Sequence, residues 1–327
     1  MKRLVTFSVV LALSCVLLLT GCERDSGVIT ITMASPSNPE DNTVRAFFHF
    51  RDIVEERSEG RIRVNVMHSG QLGGPRETVE QMQMGVLEIA EVNVAIFSAF
   101  DPRFMVFDLP YVSRGVDHLR GLLDGGLGQY FSDSLEDRTG VKILGWIIRS
   151  PRNMYISSRP VHTAADFAGM RVRIMESPVH HRTFELLGAV PVPIAATERY
   201  MALQTGVVDA AENSIPLIIT QREYEVTRYL SRTEHFMTPN TIAMSASFFH
   251  GLPEDLQQIL VEAADEAGRY GTMLDMEEEE EAIQELVRRG MVFNDVPDRS
   301  SFIQAVSPIF AEFRDQIGGD LIDAFTR

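Results

Sequence analysis

Between Val28 and Val94 the chain switches repeatedly between two hydrophobic periodicities, and this alternation limits the fold more than any other feature. Val28–Ala34 reads as a strand. Asn38-Pro39-Glu40-Asp41-Asn42 carries turn and cap residues, and a helix is expected from there to about Ser58, stopped by Gly60. Arg61–His68 alternates Ile62, Val64 and Val66 with polar residues, as a half-buried strand does. Pro75 opens a second helix that ends at Gly85, and Leu87–Val94 reads as a buried strand. Strand, helix, strand, helix, strand with short Gly/Pro connections predicts a parallel α/β sheet.

The same order returns further along. Val141–Ile148 reads as a strand, and Thr163-Ala164-Ala165-Asp166 has capping-box spacing. Met170–Met175 is a strand, Ser177-Pro178 opens a helix running to Gly188, and Val190–Ile194 is a strand. Thr197 caps a helix ending at Gly206, and Val207–Glu212 is a strand. The two units share architecture, and no sequence repeat between them is expected. After Leu252-Pro253 a helical pattern runs to about Arg289, on the order of 50 Å at 1.5 Å per residue. That is wider than one domain, so the helix should lie across both. Its run Glu277–Glu281 reads as a solvated face.

A length of 327 residues accommodates about two such units. With 46 acidic against 30 basic residues the formal net charge is -16, which repels phosphate backbones and excludes nucleic acid as a partner. Lys occurs only at Lys2 and Lys142. Met1–Cys22 has a basic start, an apolar run from Leu4 to Leu19 and the ending Leu19-Thr20-Gly21-Cys22. It reads as an export signal (residues 1–21) that resembles the bacterial lipoprotein cleavage box, with Cys22 the lipidation site and 22–27 a linker. Lipid on Cys22 would tether the protein to a membrane outside the cytoplasm without spanning it. Cys15 would be discarded with the signal, so no disulfide framework and no thiol nucleophile is expected.

Searches for catalytic signatures find no G-x-S-x-G, H-E-x-x-H, Walker loop or G-x-G-x-x-G. His180 and His181 with Glu185 form the best metal candidate, but they lack an evident further ligand, and neither metal nor cofactor is expected. More telling is a group of arginines in an acidic chain: Arg149, Arg152, Arg159, Arg171 and Arg173. A guanidinium at the C-terminal end of a parallel strand points at the crevice where open α/β sheets bind ligands, and it can grip a carboxylate through two hydrogen bonds. A solvated charge is the competing reading for each one.

Several stretches then occur in one order. They are Gly70-Gln71-Leu72-Gly73, Gly85, Val106-Phe107-Asp108-Leu109-Pro110-Tyr111, Arg152-Asn153-Met154-Tyr155 and Arg159-Pro160-Val161. Asp166-Phe167-Ala168-Gly169-Met170-Arg171-Val172-Arg173, Leu187 to Pro193, Glu198 to Asp209 and Glu212-Asn213 follow. In this order they resemble the solute-binding proteins of TRAP (tripartite ATP-independent periplasmic) transporters over nearly all of the exported chain. The resemblance implies an α/β, two-lobed periplasmic-binding-protein-like (type II) fold with hinge strands and a long helix bridging both lobes. One lobe would hold residues 28–150 with about 239–278, the other 151–238 with about 279–327. The family is not enzymatic. It implies a cleft closing on one organic acid, which is passed to a small and a large membrane permease subunit.

By the same resemblance Arg173 makes the main salt bridge to the ligand, with Arg152 and Asn213 facing it. Asn93 or Glu91 contributes from the third strand, and Asn38 and Asn42 from the first strand-to-helix loop. Tyr155 and Trp146 are open between cleft lining and core packing, and Arg171 is expected at the surface. A sugar acid such as a uronate or aldonate is the first expectation for the ligand. A C4-dicarboxylate, with Arg152 or Arg149 as second clamp, comes next. The rivals are a hydrolase using Asp209 and Glu212, and a sensor lipoprotein. A monomer is expected.

Overall fold

A computed structural model describes residues 27–327, so the expected export signal and Cys22 lie outside the described residues. Strand β1 (Ile29–Ala34) turns Ile31 and Met33 inward. Asp41 accepts a hydrogen bond from the Thr43 amide and so caps α1 (Asn42–Arg57), which buries Val44, Phe47, Phe50 and Val54. β2 (Ile62–Met67), α2 (Pro75–Gln83, with Pro75 in its first turn) and β3 (Ile89–Asn93) follow. After β4 (Val141–Ile147) come β5 (Arg152–Ile156), β6 (Arg171–Ile174), α3 (Pro178–Leu186) and β7 (Val190–Pro193). Next are α4 (Arg199–Gln204), β8 (Ala210–Asn213), β9 (Tyr229–Phe236) and β10 (Asn240–Ser245). α5 (Glu254–Arg288) and β11 (Val292–Asp295) precede short helices between Ser300 and Thr326. The capping box at Thr163 forms, with Asp166 reaching back to the Thr163 amide, but it caps only a single 3-10 turn.

The strands form two sheets, ordered β2-β1-β3-β10-β4 and β11-β9-β5-β8-β6-β7. Neither is purely parallel. β10 runs antiparallel to β3 and β4, and β5 runs antiparallel to β8 and β9. Each sheet thus receives an antiparallel strand from a crossing segment, through residues 148–151 in one direction and 237–239 in the other. Such strands are too short and too fully buried to show a periodicity; all six residues of β10 are buried.

Apart from the edge strand β11, the second sheet repeats the first, with β7-β6-β8-β5-β9 matching β2-β1-β3-β10-β4. The match reaches the sequence, contrary to expectation. Gly85-Val86-Leu87-Glu88-Ile89-Ala90-Glu91 enters β3 as Gly206-Val207-Val208-Asp209-Ala210-Ala211-Glu212 enters β8. Both glycines take the left-handed conformation after a helix, at φ 69° and 71°. Glu88 accepts from the Thr32 amide of β1 at 2.8 Å, and Asp209 from the Arg171 amide of β6 at 3.0 Å.

Helix α5, 35 residues long, bridges the two lobes. Leu256, Leu260, Ala263, Ala264 and Ala267 pack into the core of the first lobe; Ala282, Ile283 and Leu286 pack into that of the second. It lies directly on β4 because two glycines permit it. A Cβ on Gly145 would sit 2.4 Å from the Ala264 carbonyl oxygen, and one on Gly268 would sit 2.6 Å from that of Trp146. The acidic run on α5 is not merely solvated. Glu278 pairs with Arg45 of α1 at 2.5 Å, and Glu280 with Arg232 of β9 at 3.6 Å. The final segment departs from the expected division. Ile309, Phe313, Ile317, Ile322 and Phe325 join the cluster of Phe104, Phe107 and Phe131 on the first lobe, with Phe325 edge-on to Phe107 at 5.2 Å.

Candidate functional site

A cavity of about 250 Å³ lies between the lobes where β3, β6 and β8 end. It falls just below the roughly 300–1,000 Å³ typical of drug-sized sites, so it suits a compact solute. Two contacts span its mouth. Asn38 donates through Nδ2 to the Thr220 carbonyl at 2.9 Å, and the Gly70 loop presses on Thr197, where a Cβ on Gly70 would lie 3.0 Å from the Thr197 methyl.

Four buried arginines line the cavity, and their partners separate them. Arg149 is engaged by Asp41 at 3.0 Å and by Asp275 of α5 at 3.0 Å. Burial alone would lower its pKa, but Asp275 and Asp41 together raise it. Arg152 forms a fork with the Glu212 carboxylate and also donates to the Glu212 carbonyl at 2.8 Å. Burial works against that carboxylate, yet Arg152 outweighs it and holds Glu212 down at about 2. Arg199 pairs with Glu223. Arg173, on β6, is only 2 % exposed and has no carboxylate partner. Its Nε donates to the Ile194 carbonyl at 2.8 Å, and its buried Nη1 has no partner. Burial, and then the neighbouring Arg199 charge, push Arg173 down to about 9, which leaves it cationic at neutral pH.

The facing wall is polar and carries one buried carboxylate without a cation partner. Glu91 of β3 accepts from Asn240 Nδ2 at 2.7 Å and from the Ser35 hydroxyl. Burial, and then the nearby Asp41, raise it to about 7. Asn93 caps the turn after β3 through the Ala95 amide and donates to Asn240 Oδ1 at 2.8 Å. Asn213 ends β8 and accepts from the Ser214 amide at 3.0 Å. Glu91, Asn93, Arg152, Arg173, Asn213 and Asn38 therefore all reach one cavity.

Three sequence candidates do not line it. Trp146 packs on Phe107 and Phe131 in the first lobe: its backbone meets α5, but its ring joins the cluster separate from the one α5 packs into. Asn42 braces α5, donating to Asp275 at 3.4 Å while accepting from Arg45. Tyr155 is wholly buried behind the site in the second lobe's core, and burial pushes its hydroxyl well up. Arg199, Glu223 and Asn240 were not singled out from the sequence. A buried charge pair formed between residues 24 positions apart leaves no local pattern.

The rivals find little support in the geometry. Asp209 is bound to Arg171 at 2.6 Å on the surface, and Glu212 to Arg152 inside, so each carboxylate has its own cation. His180 turns inward and stacks on Phe236 at 4.1 Å, while His181 meets only Glu185 at 3.6 Å. No group of three or more His, Cys, Asp and Glu side chains converges among the described residues.

Comparison with known proteins agrees over nearly the whole molecule. Residues 33–316 match the model of DctP, bacterial extracellular solute-binding protein, family 7. The chain is 30% identical over 258 residues to the 2,3-diketo-L-gulonate-binding periplasmic protein YiaO of Escherichia coli, covering 79% of this chain and 78% of that one. A TRAP periplasmic solute-binding protein of a Polaromonas species, bound to D-erythronate, superposes with a TM-score of 0.88 at 30% identity, covering 91% and 98%. One from Sulfurospirillum deleyianum with bound succinate gives 0.86 at 28% identity, covering 91% and 98%.

Proposed function

This chain belongs to the bacterial extracellular solute-binding proteins of family 7, and from that premise we propose that it captures one monocarboxylic sugar acid for its TRAP permease. Members of the family are substrate-binding subunits of transporters, not enzymes, and they take carboxylate ligands outside the cytoplasm. The observation that carries the finer reading is the charge inventory of the cavity. Of its four buried arginines, only Arg173 lacks a carboxylate partner. One vacancy suits one ligand carboxylate, gripped by Arg173 with Asn213 beside it. Asn93, Asn240 and Glu91 offer donors and acceptors suited to hydroxyls at the other end. Arg152 positions Glu212 and Asn213 rather than gripping a second acid group. Closure of the lobes, held by Asn38 on Thr220, then excludes water.

A C4-dicarboxylate is the second reading, favoured by the succinate in the Sulfurospirillum relative. It requires Arg149 or Arg152 to give up a buried partner, which costs about 3–5 kcal/mol. A thermal-shift panel followed by calorimetry tests the choice. D-glucuronate, D-galactonate or D-erythronate should raise the melting temperature and bind at least tenfold tighter than succinate. Tighter succinate binding overturns the monocarboxylate reading, and no binding of any acid overturns the carboxylate reading itself.

We further propose that the protein acts as a monomer carrying lipid on Cys22. Cys22→Ser should move it from the membrane to the soluble extracytoplasmic fraction.

A further inference from the structure

We infer that Glu91 takes up a proton as the cavity takes up its acid, so that the organic anion is captured together with one proton on that carboxyl. This rests on the carboxylate-binding reading above.

The inference starts from a break in the internal repeat. Glu91 and Glu212 occupy matching positions on β3 and β8. Each meets the first residue of the antiparallel strand crossing into its sheet. For Glu212 that residue is Arg152, which forks onto the carboxylate; for Glu91 it is Asn240, which donates one neutral hydrogen bond at 2.7 Å. Glu91 is only 4 % exposed and has no cation within salt-bridge distance.

Its surroundings confirm the shortage. From the loop between β1 and α1 it faces Ser35, Ser37 and the charged Asp41. From the end of β4 it faces Arg149, which Asp41 and Asp275 already engage. β10 presents Asn240, and β3 itself presents Asn93, both neutral. Across the cavity stands Arg173, the group the ligand would neutralise. The free protein already holds this carboxyl up at about 7.

A cavity of about 250 Å³ has the volume of a sphere about 8 Å across, and Arg173 and Glu91 both line it, so an acid held on Arg173 lies on the order of 8 Å from Glu91. At that separation and an effective dielectric constant near 20, a unit anion raises a carboxyl midpoint by roughly 1.5 pH units. At about pH 7.5 Glu91 should therefore pass from mostly ionised to mostly protonated on binding. The proton comes from the buffer and forms one O–H bond on Glu91, with no other bond changed. The new hydroxyl is a donor that the ionised carboxylate lacks, and a sugar hydroxyl can accept from it.

Calorimetry in two buffers of different ionisation enthalpy reads the proton count directly. The probe is whichever of D-glucuronate, D-galactonate and succinate gives the largest thermal shift. Near pH 7.5 wild type should take up roughly half to one proton per acid, and affinity should weaken about twofold by about pH 8. Higher pH is avoided because Arg173, held at about 9, would also gain protons. Glu91→Gln should bind with a count near zero. Glu279→Gln removes the other carboxyl held at about 7, one that lies on α5 outside the cavity lining, and should keep the wild-type count. Equal heats in both buffers for wild type, or an undiminished count in Glu91→Gln, overturn the inference and leave the carboxylate reading standing. Should Glu91→Gln fail to fold, the wild-type and Glu279→Gln counts still decide: loss of uptake in Glu279→Gln moves the proton to α5. Failure of every acid to bind overturns both readings.

Discussion

Replacing Arg173 by methionine should weaken ligand binding and strengthen the empty protein at once. The substitution keeps an unbranched stem in the same space and removes the charge. In the free protein that charge is buried without a carboxylate, and its Nη1 has no partner. Removing one side of a buried ion pair costs about 3–5 kcal/mol. At about 1.4 kcal/mol per tenfold, the acid's affinity should fall between a hundredfold and several thousandfold. The unpaired guanidinium is costly in the empty cleft, though water in the cavity softens that cost, so the apo variant should gain about 1–3 kcal/mol. For a chain of this size each kcal/mol moves the melting temperature by about 2 °C. Ligand at about a thousand times its wild-type dissociation constant stabilises wild type by about 4 kcal/mol and the variant by about 1 kcal/mol at most. Differential scanning calorimetry should therefore give two orders: variant above wild type without ligand, wild type above variant with it. A variant less stable than wild type in the empty state would refute the reasoning, since it would mean that Glu212 or Glu223 already neutralises Arg173.

Three other perturbations follow from the same geometry. Glu212→Gln strands Arg152 in the core and should cost about 3–5 kcal/mol in chemical denaturation at neutral pH. Because the fold holds Glu212 at about 2 against an ordinary 4.5, its contribution is complete above about 4.5 and is lost as pH falls towards 2, and the variant should lack about 3 kcal/mol of that acid dependence. Gly268→Ala drives a methyl onto the Trp146 carbonyl oxygen and should destabilise by about 1–3 kcal/mol without changing ligand preference. Asn38→Ala removes a hydrogen bond across the mouth worth about 1 kcal/mol, so stopped-flow measurements should show release about fivefold faster with association little changed.

The elements that obey local rules were legible in the sequence. β1, α1, β2 and α2 fall within a few residues of the expected spans, because Asp41, Gly60 and Pro75 mark their ends by chemistry confined to a turn. The long helix α5 was equally plain from Leu252 onward. What local rules could not give was pairing. β5 and β10 cross between sheets and run antiparallel, which depends on partners 54 or more positions away in register. The repeat around Glu91 and Glu212 is seven residues long with four identities, too short to stand out before the two strands are seen to coincide. The site shows the same boundary. Arg173 and Arg152 came from the order of motifs, but that one is vacant and the other spent on Glu212 is a property of the assembled core.

The salt bridges on α5 mark where the two lobes meet along it. Glu278 holds Arg45 on one side and, two positions later, Glu280 holds Arg232 on the other. Contacts to both lobes thus lie within a single turn of one helix, and with the crossings at 148–151 and 237–239 they are where a rotation between lobes would have its fulcrum. Displacement in a lever grows with distance from its fulcrum. Such a rotation would leave Arg149 and Arg152, at the crossings, nearly still and would sweep Asn38 and the Gly70 loop, at the mouth, furthest. The acid would therefore meet arginines already set at the base before anything moves, and the rim would decide how long it stays.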